Sequence, residues 1–191
     1  EGIESPSAKS DVMQELFNKR LAAKEYAECA ALIDRMDDSA RGKPDCYASL
    51  AGRFLDANDK ARAEQLLSAA KKKLDKLAPD DDLVTAFLRV NDVAAAERMT
   101  RSFPKDGFYR TNCIRWVMRA HAAAGNTKAA LGLMSLLEKD PDRQEGLKGI
   151  GVAQAERGDV KAAVATASGL SDDKAKTAVL EAVGKHQVKN K

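Results

Sequence analysis

Apolar residues recur along most of the chain at i, i+3, i+4 and i+7 spacing, the 3.6-residue period of a helix with one buried face. Tyr47, Leu50, Ala51, Phe54 and Leu55 form one such stripe, and Ala63, Leu66, Leu67 and Ala70 form the next. Short turn-like pairs interrupt the pattern at Lys24-Glu25, Asn58-Asp59, Asn91-Asp92, Gly125-Asn126 and Gly158-Asp159. The second residues of these pairs lie 34, 33, 34 and 33 positions apart, so the chain repeats itself. Other columns keep the same register. Four residues on come Cys29, Ala63, Ala96, Ala130 and Ala163. Nine residues before come Leu16, Leu50, Leu83, Val117 and Ile150, and one further step reaches Val183. A third column runs Leu21, Leu55, Leu88, Ala122, Ala155, Val188, and a fourth runs Leu32, Leu66, Met99, Leu133 until Thr166 breaks it.

Each unit reads as two helices. The spacing predicts helices near 6–23, 27–39, 44–57, 60–77, 81–90, 93–103, 108–124, 127–138, 141–157, 160–168 and 172–188. Pro6, Pro44 and Pro141 suit helix starts, where a missing N–H is not needed. Ser171 and Asp81 suit N-caps, and Gly42 and Gly125 suit the left-handed residue after a helix. The third unit is irregular. Helix 60–77 outruns its equivalents, and Asp80 stands in a column otherwise filled by Met13, Tyr47, Ile114, Leu147 and Leu180. A kink or a local change of pitch is expected there, and a loose tail over residues 1–5.

Composition narrows the class. The 34 alanines against only 11 valines and 4 isoleucines favour helix over strand, so the chain is read as all-α. No apolar run approaches the ~18 residues of a spanning helix. Basic and acidic residues nearly cancel, 32 against 29, which excludes wholesale disorder and is mild for a nucleic-acid binder. Three scattered cysteines suit neither a disulfide framework nor a zinc site. The chain begins at Glu1 without Met, so it reads as a processed protein, an excised domain or a tag remnant; a soluble chain, cytoplasmic or exported after removal of a signal, fits, and its compartment and oligomeric state stay open.

The Gly-Asp turn followed by alanines, Gly158-Asp159-Val160-Lys161-Ala162-Ala163, its echo Asn91-Asp92-Val93-Ala94-Ala95-Ala96, Tyr26 after the first turn and the small and aliphatic columns resemble the tetratricopeptide-repeat (TPR) family. The resemblance runs from about residue 8 to 188. Trp116 stands two residues after the family's usual Trp, and the usual Pro at the unit end is shifted or missing. The resemblance implies a right-handed α-solenoid of about five helix-turn-helix repeats in one domain over 6–191. The repeats fall roughly at 6–42, 43–78, 79–106, 107–139 and 140–170, with a capping helix in 171–191. Pentatricopeptide repeats, which read RNA, are similar but keep a 35-residue step not seen here.

Candidate chemistry is sparse. His121 falls on an inward stripe and His186 near the end, neither with a ligand partner at metal spacing. HExxH, GxSxG and P-loop patterns are missing from the sequence. Gly149-Ile150-Gly151 lies inside a helix, so it and Gly184 are read as sites of close helix crossing. The runs Asp37-Asp38, Asp80–Asp82 and Asp172-Asp173 lack the Gly and terminal Glu of a calcium loop. Cys29, Cys46 and Cys113 take positions of small buried residues, although Cys29 and Cys46 could face each other across a repeat junction. The expectation is a non-catalytic scaffold without cofactor or metal.

In the family, the first helix of each unit lines the concave side. The corresponding positions here include Asn18, Leu21, Ala48, Gly52 and Leu55, then Thr85, Leu88 and Arg89. Further along they are Asn112, Arg115, Arg119, Ala122, Lys148 and Val152. An apolar ridge of Leu21, Leu55 and Leu88 and a basic strip of Arg89, Arg115, Arg119 and Lys148 follow. The family's carboxylate clamp is incomplete, with Gln14 and Ser49 where it would begin. Such a groove would hold a protein or peptide segment of acidic character. Counter-charges from Glu145 or Glu156 would make the strip plain surface instead. RNA binding through the arginines is the alternative, with few aromatics to stack bases.

Overall fold

The computed structural model describes residues 6–189, so the expected tail over 1–5 lies outside the described residues. The described residues form an all-helical protein without strand. The chain divides into two compact units, residues 1–103 and 104–191. The first contains α1 (Pro6–Ala22), α2 (Tyr26–Arg35), α3 (Lys43–Asp56), α4 (Lys60–Lys72), α5 (Asp81–Arg89) and α6 (Val93–Ser102). The second contains α7 (Arg110–Ala123), α8 (Thr127–Gly132), α9 (Asp140–Glu156), α10 (Val160–Ser168) and α11 (Asp173–Lys189).

One local device closes every helix pair. Lys24, Asn58 and Asn91 adopt φ of 61°, 62° and 64°, and Gly125 and Gly158 adopt 85° and 90°. These are the first residues of the five repeated pairs. The following N–H then reaches back five residues, from Asp59 to the Phe54 carbonyl at 2.8 Å and from Asp159 to the Gln154 carbonyl at 2.9 Å. This is the Schellman closure, which satisfies carbonyls the helix end leaves open. The second residue starts the next helix. The Asp59, Asp92 and Asp159 carboxylates accept from the amides of Arg62, Ala95 and Ala162 at 3.1, 3.1 and 3.2 Å. The two-residue signal therefore ends the first helix in all five pairs and caps the second with a side chain in three, since Glu25 and Asn126 make no such bond.

The repeated columns are the core. Cys29, Ala63, Ala96, Ala130 and Ala163 are all fully buried. A small side chain one turn into each second helix lets it approach the first closely. Leu50, Leu83, Val117, Ile150 and Val183 are buried as expected. Leu16 is not: α1 turns Phe17 inward instead and leaves Leu16 39% exposed. On α11 the inward stripe is Ala175, Val179 and Val183, so Leu180 points out. Thr166 breaks its aliphatic column because it donates at 2.8 Å to Oε1 of Gln154 on α9, whose Nε2 donates in turn to Thr127. Gln154 is buried, and this pairing satisfies it.

Several expected boundaries shift. Helix α4 stops at Lys72, not 77, and the turns after it still bury Leu74 and Leu77. Gly42 is right-handed, at φ −83°, and precedes α3 rather than closing a helix. The N-caps near 81 and 171 belong to Asp80 and Asp172, whose carboxylates accept from Leu83 and Ala175. Capping explains the carboxylate in an otherwise apolar column. Helix α8 ends at Gly132 and tightens into a 3₁₀ turn over Leu133–Leu136. Gly151 is a close crossing, but a Cβ on Gly184 would meet nothing within 4 Å, so that glycine has no such role.

Candidate functional site

In the first unit, α3 and α5 lie side by side and enclose a depression of about 210 Å³. Ala48, Ser49 and Gly52 come from α3. Asp82, Thr85, Ala86 and Arg89 come from α5, at the i, i+3, i+4, i+7 spacing of one helix face. The structure therefore brings together four expected groove positions, Ala48, Gly52, Thr85 and Arg89. The sequence reading placed Ser49 only in an incomplete clamp and missed Asp82 and Ala86 as lining residues, although the same spacing run back from Arg89 reaches Asp82. Gly52 keeps the floor open: a Cβ there would meet only Arg89 Nη1, at 3.9 Å. Leu21, Leu55 and Leu88 are half-buried and do not line the depression. They end their helices, and their carbonyls accept from Lys24, Asn58 and Asn91 at 3.1, 3.0 and 3.0 Å.

The depression is bipolar. At one end Arg89 donates from Nη2 to Asp56 at 2.7 Å. At the other, burial raises the Asp82 pKa, and Asp81 and Asp45 add to it. Burial also pushes the neighbouring Asp80 up to about 6, against the Leu83 amide, with Asp82, Asp45 and Asp81 contributing. A raised carboxyl pKa means that the folded chain holds more protons than the unfolded chain between about pH 4 and 6. Stability then falls as pH rises through that window. Asp80→Asn keeps the oxygen that accepts from Leu83 and removes the charge. Thermal melts at pH 4.5 and 7.5 should show a higher midpoint than wild type at pH 7.5 and a smaller difference between the two. An unchanged pH slope would refute this assignment.

In the second unit, each expected cation has a nearby acceptor. Arg115 donates to Asn112 Oδ1 and lies 3.6 Å from the Asp142 carboxylate. Arg119 forks onto both Glu156 oxygens at 3.2 and 3.1 Å, and Lys148 pairs with Glu145 at 2.5 Å. The basic strip is thus a set of ion pairs, as the counter-charge expectation anticipated for Glu145 and Glu156. The Arg119–Glu156 pair is exposed and contributes little to stability, so a ligand can exchange it at small cost. Lys148 also lines a hollow of about 630 Å³ between α9 and α11, where Asp140, Glu145, Asp172 and Lys174 mix both charges.

The remaining candidates are structural. His186 packs against Gly158, and His121 is half-buried. Cys29, Cys46 and Cys113 are buried free thiols, and burial pushes the Cys46 pKa up to about 12, which makes it a poor nucleophile. Among the described residues, no group of three His, Cys, Asp or Glu side chains could hold a metal ion. Among the described residues, no helix is long and apolar enough to cross a membrane. Compared with known families, curated proteins and solved structures, the chain matches no family model, no curated protein and no solved structure.

Proposed function

We propose that this chain is a non-catalytic protein-interaction module of TPR-like helical repeats. It holds an extended segment of a partner protein against the first helices of its pairs. The depression on α3 and α5 carries this reading, because residues from two successive first helices meet there around Gly52. A preformed surface of this kind orders little on binding, which favours recognition of extended peptides. Arg89 offers a two-pronged donor to a carboxylate, while Ala48 and Ala86 leave room for an apolar side chain.

Selection from a displayed peptide library is the test. Peptides selected on the wild-type chain should carry an apolar anchor next to Asp or Glu. Gly52→Phe places a ring at the depression from a position where a Cβ meets only Arg89 Nη1, and Arg89→Glu reverses its cation. Each should weaken the selected peptides about tenfold or more while leaving the circular dichroism spectrum unchanged. Equal binding to both variants would refute the assignment. So would binding of single-stranded RNA that is tighter than any peptide and falls steeply with salt.

A further inference from the structure

The first unit holds a second, more apolar cleft, on α2 and α4 with α3 as its floor. Its volume is about 540 Å³, within the range of small-molecule sites. Tyr26, Ala30 and Asp34 line it from α2 at successive i+4 positions, a face about 12 Å long. Arg62, Leu66 and Ala69 line it from α4, and Tyr47, Leu50 and Phe54 from α3. The short side chains of Ala30 and Ala69 leave space between the two walls. Tyr26 meets Phe54 edge-to-face at 5.5 Å, and Arg62 stands over the Phe54 ring at 5.8 Å.

One polar group in this cleft is unexplained. Tyr47 is 1% exposed, and its hydroxyl is buried with no hydrogen-bond partner in the protein. Leaving such a donor unsatisfied is costly, and most buried polar groups in native chains find a partner. Burial raises the Tyr47 pKa, so the hydroxyl stays a donor at neutral pH. The charge of Lys73 acts on it first, then those of Asp34 and Asp38, and of these three residues Asp34 lines the cleft.

We propose that this cleft binds a small neutral molecule, with an aromatic or branched apolar body and one acceptor oxygen that receives the Tyr47 hydroxyl. The size of the cleft, its apolar walls and the waiting donor set the body and the oxygen. Neutrality follows from Asp34 and Arg62, whose opposite charges both line the cleft and favour neither ion. The site shares no lining residue with the depression on α3 and α5, so it stands independently of the function proposed above.

The test uses prodan, a neutral naphthyl ketone with polarity-sensitive fluorescence, titrated into the full chain. Saturable one-to-one binding with a blue shift is expected. Heteronuclear NMR should place the shifted amides at Tyr26, Ala30 and Ala69. Ala30→Phe and Ala69→Leu project into the open cleft from partly exposed positions, and each should abolish binding. Tyr47→Phe should weaken binding about three- to tenfold, the share of one neutral hydrogen bond. The same variant should melt at or above the wild-type temperature, because the free protein loses only an unpaired donor. Weaker binding in a chain of equal or greater stability is a signature that a purely structural tyrosine would not give. The proposal is overturned if prodan fails to saturate, if the shifted amides lie elsewhere, or if Tyr47→Phe binds as tightly as wild type. Should either filling variant fail to fold, the amide shifts and Tyr47→Phe decide.

Discussion

Replacing Asp38 by alanine is expected to lower the stability of the first unit by about 3 kcal/mol, the cost of stranding a buried cation. Lys43, at the start of α3, is fully buried. Its Nζ donates to the Met36 carbonyl at 2.7 Å and to Asp38 Oδ1 at 2.7 Å. The same carboxylate oxygen accepts from Lys73 at 2.9 Å, just past the end of α4. One aspartate therefore ties the α2–α3 connection to the start of α3 and the end of α4. Hydrogen bonds from Lys43 and then Lys73 lower the Asp38 pKa to about 2. Because the folded value is depressed, the contribution is complete above about pH 5 and is lost as pH falls through about 4 to 2. Urea unfolding at pH 7 measures the loss. Pairing Asp38→Ala with Lys43→Met should recover much of it, since an apolar side chain needs no partner. A single variant within about 0.5 kcal/mol of wild type would disprove the stranded-cation account, since surface substitutions commonly cost that little.

Gly151→Leu is expected to detach α11 from the second unit. A Cβ on Gly151 would sit 2.9 Å from both methyl carbons of Val179 and 3.3 Å from the Thr166 methyl. Real Cβ atoms do not approach so closely, so a side chain must push α9 and α11 apart. Overpacking of this kind costs about 1–3 kcal/mol, more than the helix propensity regained on losing a glycine. The layer at risk is continuous. Ala155, Ala163, Ala167, Leu170, Ala175, Val179 and Val183 form one buried cluster. Hydrogen exchange should accelerate over 173–189 in the variant, with α7 and α8 still protected. Truncation after Leu170, which removes the same helix, should reproduce the loss of stability. Wild-type exchange rates over α11 in Gly151→Leu would show that the crossing tolerates bulk.

The features legible in the amino-acid order alone are local and periodic. Lys24, Asn58, Asn91, Gly125 and Gly158 mark five helix ends because a left-handed residue followed by a cap is decided within about six residues of chain. Eleven helices were legible from the 3.6-residue period. The small column from Cys29 to Ala163 was legible because every repeat imposes the same close approach. The depression was partly legible for the same reason: Ala48, Gly52, Thr85 and Arg89 share one register.

The other features depend on how the helices pack against one another. Arg89 pairs with Asp56 at 33 residues' separation, Arg119 with Glu156 at 37 and Lys73 with Asp38 at 35. Whether a cation in one repeat meets a carboxylate in the next depends on helix spacing and rotation, which composition does not encode. Leu16 and Leu180 kept the column pattern yet point outward, because a rotation of one residue, about 100°, exchanges a buried position for an exposed one. Tyr47 reads in sequence as an ordinary core residue. Its hydroxyl is buried without a hydrogen-bond partner, beside a cleft lined by α2, α3 and α4, and that setting is a property of three helices together rather than of any one stretch of chain.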